Sequence, residues 1–384
     1  MQNATVIVVR IVVGVVGAIV VLRTLLSAIR TVVLPRAQKA WLTRFHFVMV
    51  LQVFRLFARP SRPFDERDRI MALYAPIGLV LLPAVWLLLI ITGFAGIYWA
   101  IHDETLSESF VLSGSSATTL GFSRPEHDWV TGLSFVEAAI GLGVVALMIS
   151  YLPTIYGAFA RREALVGMLE VRTGRPASAG MLFARYEQIG RLEWIEEDLF
   201  VRWEQWFTDV EESHTSQPAL VFFRSPHPER SWINAAGLVL DTAALRASAV
   251  DIPRDARTDL MIRTGFLALR RLADYFDMPY DPNPTPGDPI SVTRAEFDVA
   301  LGELEAAGLP IKADRDQAWL DFAGWRVNYD TVLIQLARLV MAPPANWITD
   351  RGEQPRYVPP LTFPSIDRAR ARRRERNETS SRDD

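Results

Sequence analysis

Three long apolar segments dominate the first 160 positions of the chain. They run from Val6 to Leu22, from Met71 to Ile101 and from Trp129 to Phe159. A helix that crosses a bilayer needs ~20 apolar residues, so each segment is long enough to span one. The polar stretch between the second and third segments opens with Thr105-Leu106-Ser107-Glu108. This is a capping-box pattern, and it predicts a short helix from Thr105 to about Ala117.

A fourth apolar stretch, Trp41 to Phe57, carries a basic stripe. At helical spacing Arg44, Gln52 and Arg55 fall on one narrow face, with aromatic and aliphatic residues on the others. A helix of this kind lies in the membrane interface, whereas spanning would bury an arginine in hydrocarbon at roughly 2.5–3.5 kcal/mol. We favour the interfacial position and keep a fourth span as the alternative.

The residues after position 160 are charged and follow a helical period. Trp194, Leu199, Trp203, Trp206 and Phe207 recur at helical spacing, which is typical of a buried face. Helices are predicted over Arg162–Arg172, Ala179–Ile189, Leu192–Glu212, Ser231–Ala247, Asp255–Phe276, Thr293–Ala307 and Asp314–Met341. From Pro343 the chain is rich in proline and then basic, from Arg368 to Arg376, which predicts a disordered tail that touches anionic lipid.

Charge predicts the orientation of the spans. Basic residues crowd the stretch between the first two spans, while the loop from His102 to Asp128 is acidic, with Asp103, Glu104, Glu108, Glu126 and Asp128 against Arg124. The positive-inside rule therefore places the basic loop and the C-terminal part in the cytoplasm. The N-terminus is then outside, and the first segment, which lacks a small-residue cleavage site, is an uncleaved anchor.

The loop between the second and third spans contains Ala117-Thr118-Thr119-Leu120-Gly121-Phe122-Ser123. Two spans flanking a short helix and this sequence resemble the pore of the potassium-channel superfamily, whose filter signature is Ala-Thr-Thr-Val-Gly-Tyr-Gly. The resemblance covers residues 76–162. The C-terminal part also resembles that of uncharacterised bacterial membrane proteins of this family, and this second resemblance does not identify a ligand.

The resemblance implies a re-entrant pore helix followed by a selectivity filter. Backbone carbonyls of Thr119, Leu120, Gly121 and Phe122 would replace the hydration shell of the ion, with Thr118 and Ser123 flanking them. Gly121 matches the first filter glycine, but the last one is Ser123 here. Potassium is the expected ion, and Ser123 leaves sodium as an alternative. The competing interpretation of Thr-Leu-Gly-Phe is an ordinary hairpin between two helices.

Four residues of the third span are candidates for supporting roles. Glu137 is a carboxylate inside an apolar span, which is costly and marks a function by default. We expect it to brace the filter by accepting hydrogen bonds from hydroxyls among Ser113, Ser115 and Ser116, in ionised or protonated form. A cation site in the pore cavity is the alternative. Gly141, Gly143 and Pro153 are candidate gating hinges.

Other functional classes receive little support from the sequence. The chain has no cysteine, and its five histidines are scattered. Glu211-x-x-His214 occurs once, whereas di-iron bundles use two such pairs, so we expect no metal site beyond the permeating ion. We find no catalytic constellation, no nucleotide-binding glycine motif, no arginine-rich voltage sensor and no global charge for nucleic acid. We therefore expect neither an enzyme nor a cofactor.

Together these features predict an all-α membrane protein with a mostly helical cytosolic domain. We expect an N-terminal anchor at 1–34, a basic loop with an interfacial helix at 35–70, a pore module at 71–160, the cytosolic domain at 161–342 and the tail at 343–384. Because a fourfold pore needs four loops and one chain offers one, a homotetrameric cation channel of the cytoplasmic membrane follows. A non-conducting membrane sensor or scaffold is the alternative.

Overall fold

The protein is all-helical in the residues that its computed structural model describes: 2–32, 41–101, 105–123, 125, 127–174, 177–190, 192 and 194–351. Among these residues only one isolated β-bridge occurs, between Val250 and Ile311. The helices are α1 (Gln2–Val32), α2 (Trp41–Phe57), α3 (Phe64–Ala72), α4 (Tyr74–Ile101), α5 (Leu106–Ala117), α6 (Asp128–Thr173), α7 (Ala179–Gln188), α8 (Val201–Ser216), α9 (Trp232–Ser248), α10 (Ala256–Tyr275), α11 (Arg294–Ala306), α12 (Arg315–Arg326) and α13 (Asp330–Val340). Ile195–Phe200 forms a π-helical turn and Pro218–Phe222 a 3₁₀ turn.

Three helical stretches among the described residues are long and apolar enough to cross a membrane. They are Thr5–Val32, Phe64–Ile101 and Asp128–Thr173. The stretch Phe64–Ile101 contains α3 and α4, which are separated by a turn at Leu73. Helix α2 is 17 residues long and is not among the three. These findings make the chain a membrane protein by length and composition, as the apolar pattern predicts.

The chain divides into two compact units. Residues up to Phe57 and from Leu73 to Gly157 form the first unit, while Ala58–Ala72 and the residues from Ala158 form the second. Several sequence predictions fall outside the described residues. These are Arg36 and Lys39 in the basic loop, Asp103, Glu104, Arg124 and Glu126 in the acidic loop, and the basic tail at Arg368–Arg376.

In the first unit α1 packs closely against α4 because glycines face each other. A Cβ built on Gly17 would lie 2.3 Å from the carbonyl oxygen of Gly93, and one on Gly93 would lie 2.8 Å from that of Gly17. Small residues that let two backbones approach are typical of helix pairs in membranes, where apolar burial gives little drive for association. This crossing therefore depends on the absence of side chains at Gly17 and Gly93.

Helix α2 docks on the first turns of α4. His46 Nε2 lies 2.8 Å from the carbonyl oxygen of Gly78, and the hydroxyl of Tyr74 donates to the carbonyl of Phe47 over 3.1 Å. The Phe47 ring occupies the space beside Gly78, where an added Cβ would lie 2.7 Å from it. Whether α2 lies in the interface stays a prediction.

Helix α5 and the part of α6 up to Gly157 complete the first unit. The predicted capping box is confirmed: Thr105 Oγ1 accepts from the amide of Glu108, whose carboxylate accepts from the amide of Thr105. Helix α6 has 46 residues and is about 69 Å long at ~1.5 Å per residue, so it exceeds a hydrocarbon core of ~30 Å. The helix predicted over Arg162–Arg172 is confirmed, and it is the continuation of α6.

The second unit is a helical domain with an aromatic core. Trp203, Trp206 and Phe207 of α8 are buried, and the Trp206 ring lies 6.4 Å from that of Trp232 in α9. Helix α10 packs against α8 and α9. Arg326 is fully buried and donates to the carboxylates of Asp241 and Asp330 and to the carbonyl of Trp347. Since each of the three guanidinium nitrogens of Arg326 donates to an acceptor, its buried charge is compensated inside the core.

Two predicted helices are wrong in their boundaries. Asp314–Met341 is not one helix, because α12 ends at Arg326 and α13 begins at Asp330. Asn328 donates its side-chain amide to the nearby carbonyl of Gly324, and Tyr329 donates its hydroxyl to buried Asp241, which is distant along the chain, so one local and one long-range side-chain hydrogen bond hold the break. The stretch predicted as Leu192–Glu212 instead begins with the π-helical turn and continues in α8.

Candidate functional site

The segment after α5 has a backbone that alternates in handedness. Thr118 caps α5 with right-handed dihedral angles (φ −87°, ψ 0°). Thr119 and Gly121 follow with positive φ values of 59° and 70°. Glycine adopts such a conformation freely, whereas threonine there costs roughly 1–2 kcal/mol. The loop geometry therefore contains strain at Thr119 that its hydrogen bonds must offset.

Four amide groups of this segment point back to the C-terminal end of α5. Thr119 N–H donates to the carbonyl of Ser116 over 3.0 Å. The amides of Leu120 and Gly121 share the carbonyl of Ser115, at 3.0 and 3.4 Å. Ser123 N–H donates to the side-chain oxygen of Ser115 over 3.1 Å. Ser115 thus holds three amides of the loop from one position in α5.

The direction of these amides fixes the direction of the carbonyls. In a planar trans peptide the N–H of one residue points opposite to the C=O of the residue before it. The carbonyl groups of Thr118, Thr119, Leu120 and Phe122 therefore face away from α5. Successive amides on one side of a chain arise where right- and left-handed residues alternate, as they do at Thr118 and Thr119.

The side chains of the loop leave this carbonyl row uncovered in a single chain. Leu120 and Phe122 are 69% and 67% exposed. A Cβ built on Gly121 would meet nothing within 4 Å, so its backbone angle is what requires glycine. Ser123 does not have a positive φ. Ser123 therefore does not incur the roughly 1–2 kcal/mol that a left-handed serine would cost.

Glu137 is fully buried in α6 and lies against α4 and α5. Its Oε1 contacts the hydroxyl of Ser113, and its Oε2 accepts from the hydroxyl of Tyr98 over 2.8 Å. The Ser113 oxygen also lies 2.9 Å from the carbonyl of Ile91. The expected contact with an α5 serine is thus present, while the brace itself stays a prediction. Ser115 and Ser116, the other expected partners, face the loop and Tyr98 instead.

Tyr98 is a member of this cluster that the sequence does not single out. Its hydroxyl donates to Glu137 and so joins α4 to α6. Tyrosine near the end of a span is common at membrane interfaces, so the residue type gives no signal. What distinguishes Tyr98 is its full burial, which is seen only in the folded arrangement of α4, α5 and α6.

The predicted hinge glycines differ in their surroundings. A Cβ on Gly141 would lie 2.0 Å from the carbonyl oxygen of Ala117, the last residue of α5, whereas one on Gly143 would meet nothing within 4 Å. Gly141 therefore lets α6 touch the end of α5. Pro153 lies inside the same continuous helix. Hinge motion at any of the three positions stays a prediction.

The second unit offers no comparable constellation in its described part. Within the residues that the structure describes, no group of three or more His, Cys, Asp or Glu side chains could hold a metal ion. His214 is buried beside the Arg162 guanidinium, and burial together with that charge lowers the pKa of His214 well below its ordinary value. Glu211 pairs with Arg271. The Glu-x-x-His pair is therefore used for packing and ion pairing.

Comparison with known proteins adds no relative. No protein-family model matches the chain, and neither the curated proteins nor the solved structures yield a match.

Proposed function

We propose that the protein is a cation channel whose filter is formed by the carbonyl groups of the Thr118–Phe122 segment. The observation that carries this proposal is the set of four amides directed at α5, which turns the preceding carbonyls to the opposite side. Carbonyl oxygens arranged in a row can replace the hydration shell of a monovalent cation. Two of these contacts, Thr119 to Ser116 and Leu120 to Ser115, are those of a Schellman cap, which many ordinary helices form. The contacts of Gly121 and Ser123 with Ser115 extend the set beyond that cap.

Position along the chain also supports the proposal. The segment follows a short helix that lies between two apolar helices long enough to span a membrane. The carbonyl end of a helix carries partial negative charge, which favours a cation beside Ala117 and Thr118. Irregular backbone at membrane depth is tolerated where it lines a water-filled path, and a re-entrant α5 would meet that condition.

One chain supplies one side of such a filter, so the proposed assembly is a homotetramer. Four copies around a fourfold axis would close a ring of oxygens at each level. The exposed Leu120 and Phe122 side chains would then have neighbours to cover them. Potassium is the proposed ion. Sodium is the alternative, because Ser123 replaces the glycine of the outermost ring.

The proposed location is the cytoplasmic membrane, with the loop outside and the second unit in the cytoplasm. This orientation rests on the excess of arginine between the first two apolar helices and after the third. The second unit would then gate or assemble the pore from the cytoplasmic side, through the covalent continuity of α6.

Potassium flux in liposomes that contain the purified full-length protein tests the proposal. Gly121→Ala is expected to lower flux by about tenfold or more, because alanine at φ 70° costs roughly 1–2 kcal/mol in each subunit. Gly132→Ala is the matched control, since its Cβ would meet nothing within 4 Å and its φ is ordinary. Absence of flux in the parent would favour a non-conducting sensor or scaffold, and equal flux in parent and Gly121→Ala would refute this filter.

A further inference from the structure

A chain of polar groups is enclosed between α4, α5 and α6 in the first unit. It runs from Tyr98 to Glu137, from Glu137 to Ser113 and from Ser113 to the carbonyl of Ile91. Ser113 and Glu137 are fully buried. Each contact needs a hydrogen atom between its two oxygens, so the hydrogens along the chain can be counted.

When Glu137 is ionised, the cluster has fewer hydrogens than oxygen–oxygen contacts. The Ser113 hydroxyl has a single hydrogen but touches two acceptors, the Ile91 carbonyl and Glu137 Oε1. A carbonyl and a carboxylate have no hydrogen to give. One of the two Ser113 contacts would then bring two oxygens together with nothing between them.

When Oε1 of Glu137 carries a hydrogen, each oxygen–oxygen contact of the cluster has one hydrogen. Glu137 then donates to Ser113, and Ser113 donates to Ile91. Tyr98 donates to Oε2. Every hydroxyl hydrogen has one acceptor, and each contact in the cluster is a hydrogen bond.

The absence of a cationic partner for Glu137 also favours its protonated form. An ionised carboxylate taken out of water is costly unless a cation pairs with it. The groups that face Glu137 in the described part of the chain are Tyr98 from α4 and Ser113 from α5, both uncharged donors. Arg10 of α1 lies over the Trp99 ring at 5.6 Å. No described basic side chain forms an ion pair with Glu137.

We propose that Glu137 is a protonated, uncharged carboxylic acid that donates to Ser113, and that Tyr98 is the positioning residue that fixes its second oxygen. This assignment is independent of ion conduction. The neutral acid would link α6 to α4 through Tyr98 and to α5 through Ser113. Ser113 precedes Ser115 by two residues, and Ser115 holds the amides of the loop. Removal of its proton would place an unpaired negative charge beside that attachment.

Infrared spectroscopy of the full-length protein in lipid vesicles tests the protonation state directly. At neutral pH the difference between the parent and Glu137→Gln should contain the carbonyl band of one protonated carboxyl group. Glu187→Gln, which replaces an exposed glutamate of α7, is the matched control and should remove carboxylate bands instead. Loss of carboxylate bands in Glu137→Gln would overturn the proposal.

Tyr98→Phe keeps the proposal testable if Glu137→Gln does not fold. Phenylalanine retains the ring but removes the hydrogen donated to Oε2, so the carbonyl band should move to higher frequency without disappearing. A purely structural role for Tyr98 would leave the band where it is. Ser113→Ala should also shift the carbonyl band of Glu137, because it removes the acceptor of the Glu137 hydrogen.

Flux measurements extend the test but rest on the proposed channel function. Parent flux should fall as the external pH is raised until Glu137 loses its proton, whereas Glu137→Gln, a permanently neutral analogue, should keep its flux over the same pH range. A parent without flux would refute the channel and leave the infrared result intact. A parent whose flux falls in parallel with that of Glu137→Gln would mean that another group responds to pH.

Discussion

Gly141 and Gly143 lie two residues apart on α6, yet an added methyl group would meet opposite surroundings. At position 141 it would lie 2.0 Å from the carbonyl oxygen of Ala117, while at position 143 it would be free of contacts within 4 Å. Alanine is better than glycine in a helix by about 1 kcal/mol. Gly143→Ala should therefore stabilise the protein by up to that amount, and Gly141→Ala should destabilise it by about 1–3 kcal/mol through overpacking.

Thermal unfolding of both variants in detergent checks this difference, and each glycine serves as the control for the other. If the proposed filter is right, Gly141→Ala should also reduce flux, because Ala117 is the last residue before the carbonyl row. Equal melting temperatures for the two variants would contradict the close contact between α6 and α5.

How far the candidate site could be predicted from the sequence differs from residue to residue. A carboxylate in an apolar span needs donors, so a contact between Glu137 and a nearby serine could be predicted. The position of Gly121 could be predicted because a left-handed turn favours glycine. The role of Ser115 could not, since its oxygens reach amides five to eight residues later only after the loop has folded.

At the scale of single helices, a sequence pattern predicts those helix boundaries that are stabilised by residues close to them in the chain. The capping boxes that begin α5 and α11 and the apolar lengths of α1, α4 and α6 could be read from the sequence. The break between α12 and α13 could not. It depends on buried Arg326 and Tyr329 both reaching Asp241, which lies 85 or more residues away along the chain.

Helix α11 yields a prediction of pH dependence. Glu296, the third helical residue of its capping box, accepts from the amide and hydroxyl of Thr293, each at 2.8 Å, and from Arg351 Nη1 at 3.0 Å. Burial raises the pKa of Glu296, but the hydrogen bonds from Arg351 and Thr293 outweigh burial and lower the pKa from 4.5 to about 2. Because the folded-state pKa is lowered, the stabilisation is complete above about pH 4.5 and is lost as the pH falls toward 2.

Glu296→Gln should therefore lower the melting temperature at pH 7, and the difference from the parent should shrink between pH 4.5 and 2. Glu187→Gln, at an exposed helical position, should change little across that range. Thermal scans of the three proteins followed by tryptophan fluorescence measure the effect. A difference that is independent of pH would show that Glu296 acts through its shape and not its charge.

At the scale of the whole molecule, composition predicts a membrane part and a charged helical part, but not which part each segment joins. Helix α3 precedes the span α4 by one residue and yet belongs to the second unit. Asp68 of α3 pairs with Arg224, which also donates to the carbonyl of Val340 over 2.6 Å. Such an assignment depends on contacts across more than 100 residues, which local patterns do not encode.

Arg162 joins α6 to the core of the second unit. Its buried guanidinium donates to the carbonyls of Leu220 (2.8 Å) and Phe223 (2.7 Å) and lies 3.0 Å from His214 Nε2. It also lies over the rings of Phe159 and Trp232. An ammonium group cannot reproduce this planar set of donors. Arg162→Lys should therefore destabilise the protein by about 2–4 kcal/mol, because buried acceptors lose their partners.

Arg161→Lys is the matched control, since Arg161 is exposed and its pair with Asp209 is worth little. Thermal unfolding should separate the two variants clearly. If the second unit gates the proposed pore through α6, Arg162→Lys should change the open probability in single-channel recordings and leave the reversal potential in mixed potassium and sodium salts unchanged. The carbonyl row belongs to the first unit, so it does not depend on Arg162. A shifted reversal potential, or equal effects of the two lysine variants, would contradict this division of roles between the two units.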